Sequence, residues 1–161
     1  MKNFAITLCL LLLTCSVTVG QTCITFQEME RQGLPMDSLD STYPNALHPD
    51  TAQGPFMGRQ KNFEKAWGQF YEDLIQHFHD HGLEWENPTY CFNKIYFSPT
   101  GEIEYWFFNF RKKDAIPADK QAQFLKLIKE FSRSYQIKIT ADTNFSQCTS
   151  VTLFNLDDLR K

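Results

Sequence analysis

Tyr90-Cys91-Phe92-Asn93-Lys94-Ile95-Tyr96-Phe97, then Ser98-Pro99-Thr100-Gly101-Glu102, then Ile103-Glu104-Tyr105-Trp106-Phe107-Phe108-Asn109-Phe110 is the stretch that decides the fold. The two outer runs are aromatic and β-branched, the residue types that fit a pleated surface. Pro99 suits the first central position of a type I turn, and Gly101 can take the positive φ that follows. The stretch therefore predicts a hairpin with a bulged turn.

Two helical patterns flank it. From Asn62 to His81, the residues Phe63, Trp67, Phe70, Tyr71, Leu74, Ile75 and Phe78 fall on one arc at helical spacing, and Gly82 follows as a left-handed cap. Beyond Asp114-Ala115-Ile116-Pro117, a second helix with proline in its first turn carries the stripe Phe124, Leu127, Ile128, Phe131 and Tyr135. Gln136 to Thr140 and Thr149 to Phe154 read as two further short strands. The order α-β-β-α-β(β) predicts an α+β domain over residues 60–161, with two amphipathic helices packed on one face of a small antiparallel sheet.

Residues 21–59 carry Gly33, Pro35, Pro44, Pro49, Gly54, Pro55 and Gly58, spaced to interrupt both helix and strand. They read as an irregular segment, with Thr25 to Arg31 able to hold a helical turn or two. This segment bears on the hairpin, because both hairpin faces are apolar and two helices on one side cover only one of them. Either 21–59 wraps the second face, or that face is offered to a partner, with Tyr96, Trp106 and Phe108 as the binding aromatics.

Residues 1–20 read as a secretory signal: Met1-Lys2-Asn3, an apolar stretch from Phe4 to Val19, and small residues before Gln21. The stretch is shorter than the roughly 20 apolar residues of a membrane-spanning helix. The mature protein is thus expected to be secreted or periplasmic, without a transmembrane segment. Leu12-Leu13-Thr14-Cys15 resembles a lipobox, so a lipid anchor at Cys15 is the alternative to plain cleavage. Of the five cysteines, Cys23, Cys91 and Cys148 lie beyond the leader. Three thiols allow one disulfide, for which Cys91 and Cys148 are the favoured pair because both flank predicted strands. The other reading keeps all three reduced, with Cys91 buried in the sheet.

A net charge of −3, with basic residues clustered only at Arg111-Lys112-Lys113, argues against nucleic acid as partner. Neither a nucleophile with its base nor a phosphate loop emerges, and the serines lack a nucleophile-elbow context. Gln76-His77-Phe78-His79-Asp80-His81 is the one cluster with metal-ligand character. His77 and His81 share a helix side and Asp73 extends the row, a donor set for a divalent transition metal. Histidines in a last helical turn are equally explained by the macrodipole. No other cofactor is expected. The reading is a non-enzymatic binding or interaction module, using sheet edge or aromatic face, whose partner is a protein or envelope component. A metal-binding protein centred on residues 77–81 is the alternative.

From Phe63 to Leu156 the pattern resembles the C-terminal domain of TonB-type proteins of diderm bacteria. Those pair a helix, a hairpin with a glycine turn, a second helix and a closing strand. Ile95 to Ile103 looks like their hairpin and Thr149-Ser150-Val151-Thr152-Leu153-Phe154 like their last strand. Tyr43-Pro44-Asn45-Ala46 echoes a dipeptide motif of that family, far upstream of the hairpin. Without a proline-rich spacer the resemblance implies the fold and not energy transduction. The chain is closer in character to small secreted bacterial proteins of unknown function.

Overall fold

A computed structural model describes residues 21–50 and 52–156; residues 1–20, on which the expected signal and the lipid-anchor alternative at Cys15 fall, lie outside the described residues. The chain runs β1 (Thr22–Thr25), α1 (Phe26–Arg31), α2 (Met36–Thr42), α3 (Gln60–Asp80), β2 (Thr89–Phe97), β3 (Ile103–Phe110), a short 3-10 turn (Lys113–Ala115), α4 (Ala118–Ser134) and β4 (Phe145–Leu153). The class is α+β. The sheet has the order β1-β3-β2-β4 and is mixed rather than purely antiparallel, because β1 joins the edge parallel to β3.

The hairpin closes through Gly101 N–H to the Ser98 carbonyl at 2.9 Å and Ser98 N–H to the Glu102 carbonyl at 2.9 Å. Gly101 takes φ +92°, and the register slips between Tyr96 and Phe97. That slip sets which aromatics share a face: Ile95 pairs with Trp106, and Tyr96 with Tyr105. Gly82 (φ +67°) ends α3, where the Leu83 N–H reaches the Phe78 carbonyl at 2.9 Å and the Gly82 N–H reaches that of His79 at 3.0 Å. Leu83 and Phe78 both enter the core beneath this Schellman motif.

Phe63, Phe70, Leu74 and Phe78 of α3, with Phe124, Leu127, Ile128 and Phe131 of α4, cover the face made by Cys91, Ile95, Phe97, Trp106, Phe108 and Phe110. Each fully buried ring of this kind contributes about 1.5–3 kcal/mol. Trp106 satisfies its one polar atom there, its Nε1–H donating to buried Asn93 Oδ1 at 2.9 Å.

Residues 21–46 cover the opposite face, and they are not irregular. After β1, Phe26, Met29, Leu34, Met36, Leu39 and Tyr43 lie over Tyr96, Tyr105 and Phe107. Residues 44–46 then reach the far edge of the sheet, where Ser146 N–H donates to the Pro44 carbonyl at 2.9 Å and Ala46 N–H to that of Ser146 at 2.7 Å. The segment is a strap from one sheet edge to the other. Polar latches pin it: Asp40 accepts from Tyr96 Oη at 2.9 Å and pairs with Lys94 Nζ at 2.6 Å, and Tyr43 Oη donates to Glu104. Burial first, then the bond to Asp40, keeps the Tyr96 hydroxyl protonated far above its usual range. Asp40→Ala should therefore lower stability by about 1–2 kcal/mol, since it strands the Tyr96 hydroxyl and unpairs Lys94. Chemical denaturation measures it as a fall in midpoint.

Gln136 to Thr140 do not form a strand. One bridge joins Gln136 to Glu102, and the Ile137 N–H donates to the Gly101 carbonyl at 2.9 Å, so the segment docks across the hairpin turn. The last strand begins earlier than its sequence suggests, at Phe145, a ring that stacks on Phe97 at 5.0 Å.

Candidate functional site: the open edge of the sheet

β4 is Phe-Ser-Gln-Cys-Thr-Ser-Val-Thr-Leu, rich in hydroxyl and β-branched residues and free of charge and proline. It pairs antiparallel with β2 along its whole length, Tyr96 opposite Ser146 and Phe92 opposite Ser150. Ser146 turns its N–H and C=O outward to the strap. In an antiparallel ladder this orientation alternates, so Cys148, Ser150 and Thr152 also direct their main-chain groups away from β2. The strap stops at Ala46. Among the described residues, the one bond to these outward groups comes from the Gln147 side chain, Nε2 to the Cys148 carbonyl at 3.0 Å. Natural edge strands are usually blunted by lysine, proline or a bulge, and this one carries none of them.

Beside the edge sit exposed aromatics. Tyr90 is 53% and Phe92 40% exposed, opposite Thr152 and Ser150 on the strand next to the edge. Phe26 of the strap lies 5.5 Å from Phe92, and Arg111 lies 5.9 Å from the Tyr90 ring centroid. The open edge is thus a short polar ladder flanked by two rings, able to accept an extended peptide through main-chain bonds.

The aromatics singled out from sequence are elsewhere. Tyr96, Trp106 and Phe108 are all buried, and they are split between the faces: Trp106 and Phe108 under the helices, Tyr96 under the strap. Burial removes them as an exposed binding face. Cys91 and Cys148 do not pair either. Cys91 lies opposite Val151 and points into the helical core, whereas Cys148 lies opposite Lys94, on the other face. Both are free, as is Cys23. Burial pushes the Cys91 thiol up to about 12, which marks an inert core residue.

His77 and His81 do come together, with ring centroids 4.2 Å apart. Burial, then the neighbouring His81, holds the His77 imidazole below its ordinary pKa, against the opposing pull of the Leu127 main chain, Glu130 and Asp80. Asp73 stays apart from them. It accepts from Gln69 Nε2 and Tyr135 Oη, both at 2.9 Å, and lies 3.5 Å from Lys138 Nζ. Burial alone would raise its carboxyl, but those partners hold it below the usual carboxylate range. Glu130 of α4, not Asp73, is the carboxylate beside the two histidines. Sequence reading missed it because nothing in one helix's pattern says which turn of another helix will lie alongside.

Among the described residues no helix is long and apolar enough to cross a membrane. No family model, curated protein or solved structure matches the chain.

Proposed function

We propose that this chain is an exported, non-enzymatic interaction module that takes an extended segment of a partner polypeptide, a protein of the envelope or the extracellular space, onto the outer edge of β4. The reading is carried by one observation, the outward main-chain groups of Cys148, Ser150 and Thr152 on an uncharged strand beside exposed Tyr90 and Phe92. Main-chain pairing would supply affinity, and the two rings would select the side chains of the added strand. Export is supported by the leader-like residues 1–20. Intact mass of protein made with its natural leader in a secreting host should correspond to a chain beginning at Gln21; a lipidated chain beginning at Cys15 would replace plain cleavage by anchoring.

The test is panning of a random nonapeptide library on the purified protein, with Ser150→Pro as comparison. Proline there removes an outward N–H and no ladder bond, so the fold and Tm should be kept. Peptides bound by the unaltered protein should bind the variant at least about tenfold more weakly, a loss of about 1.4 kcal/mol. Equal binding to both, or no selected peptide, would refute strand addition.

A further inference from the structure

The helical layer, on the other side of the molecule's sheet from the strap, holds a cluster that the sheet edge does not use. We infer that His77 of α3, His81 at the C-cap that follows it and Glu130 of α4 form a divalent transition-metal site that clasps the two helices together. Four residues make about one helical turn, so the C-cap His81 follows His77 on the same side of the helix end, which brings the imidazoles together. One donor atom from each histidine and a carboxylate oxygen of Glu130 lie within 4.8 Å of one another. Donors around a four-coordinate zinc sit roughly 3.4 Å apart, as bonds of about 2.1 Å require. The difference is within reach of side-chain rotation, because His81 is exposed and Glu130 partly so.

Two local features favour a metal over a chance grouping. The Nε2 of His77 is enclosed and, among the described residues, no group meets it at hydrogen-bonding geometry, the Leu127 main chain being only close by; an enclosed polar atom left so is unfavourable. A metal bond at that atom would relieve this. His81 Nδ1 lies 2.8 Å from the His77 carbonyl. A carbonyl only accepts, so Nδ1 carries the ring proton and Nε2 keeps its lone pair. A ring held by one nitrogen on a main-chain carbonyl is the usual support of a metal-bound histidine. Glu130 has little to lose, since its ion pair with Lys126 spans 3.8 Å on an open surface.

Two imidazoles and one carboxylate select Zn²⁺, Ni²⁺ or Cu²⁺ over Mg²⁺ and Ca²⁺, which prefer all-oxygen shells. Three protein donors leave a fourth position for water. Because α3 and α4 bring the donors from residues 77 to 130, bound metal should tie the helices and stabilise the folded chain.

Isothermal titration of tag-free, chelator-treated protein with Zn²⁺, with elemental analysis of the product, tests the site. The expected result is one zinc per chain, no heat with Mg²⁺, and a rise in Tm on zinc addition. His81→Ala and Glu130→Gln should each weaken zinc binding at least about tenfold and abolish the Tm rise. Metal-free Tm should be nearly unchanged in both, since His81 is exposed and the half-exposed Glu130 makes only a loose ion pair that Gln replaces without change of shape. His79→Ala, on the opposite side of α3, should bind as the unaltered protein does. No stoichiometric zinc, or zinc binding that survives both His81→Ala and Glu130→Gln, would overturn the assignment. Ser150→Pro should leave zinc binding intact, so the outcome is independent of the sheet edge.

Discussion

Trp106→Ala should cost about 4 kcal/mol and lower Tm by roughly 10 °C or more. The indole is fully buried at the centre of the sheet, opposite Ile95 and Cys23 on its two neighbouring strands. It meets Phe70 of α3 at 5.6 Å and Phe131 of α4 at 6.5 Å, so both helices lose a shared partner when it is cut back. The cost has a second part. Asn93 is buried and its Oδ1 accepts from the indole N–H; truncation leaves that amide oxygen beside a cavity with only the weak contact of the Cys91 thiol at 3.6 Å. Trp106→Phe should recover part of the packing and none of the hydrogen bond, so its loss should fall between. Differential scanning calorimetry separates the three proteins. A Trp106→Ala protein with unaltered Tm would mean that the indole is not in the core, and would restore it as a surface aromatic.

Gly101→Ala should destabilise by about 3 kcal/mol, through two effects at one atom. The residue sits at φ +92°, where a side chain costs roughly 1–2 kcal/mol. An added Cβ would also lie 2.7 Å from the Ile137 carbonyl oxygen and 3.0 Å from that of Ile139. Those are main-chain atoms of the segment docked on the turn, so relief means lifting residues 137–139 and weakening the Ile137 bond to Gly101. Gly68 makes the contrast. It is exposed within α3, with nothing within 4 Å of a built Cβ, so Gly68→Ala should stabilise by about 0.5–1 kcal/mol. Urea unfolding of the two variants should thus move the midpoint in opposite directions. A neutral Gly101→Ala would contradict the close approach of the turn and the 137–139 segment.

The elements legible in the sequence are those whose pattern is long or chemically specific. Phe63 to Phe78 repeat at helical spacing over about four turns, and Pro99 and Gly101 name their own turn. The strap was illegible as structure because its elements are short: α1 has six residues and α2 seven, too few for a period to declare itself. Met29, Leu34, Met36 and Leu39 reach the sheet one at a time, with Gly33 and Pro35 between them. What was legible was the need for cover, since an alternating aromatic hairpin has two apolar faces. Its sorting into faces depended on the slip between Tyr96 and Phe97, which shifts the pairing of every residue beyond it. The candidate edge was only partly legible. Thr149 to Phe154 read as a strand, but the outward turn of Cys148, Ser150 and Thr152 follows from where the strap bonds Ser146. Likewise, His77 and His81 share a side by helical geometry alone, whereas Glu130 joins them through helix packing.

The strap closes the aromatic face and stops at Ala46, and among the described residues no main chain pairs with the β4 edge beyond Ser146. Residue-resolved amide hydrogen exchange on the free protein reads this arrangement strand by strand. Ser146, bonded to Pro44, and Gln147, Thr149 and Val151, facing β2, should be protected. Cys148, Ser150 and Thr152 should exchange near the rate of an unstructured chain. Uniform protection from Ser146 to Thr152 would mean that the edge is already occupied, and would rule out strand addition there.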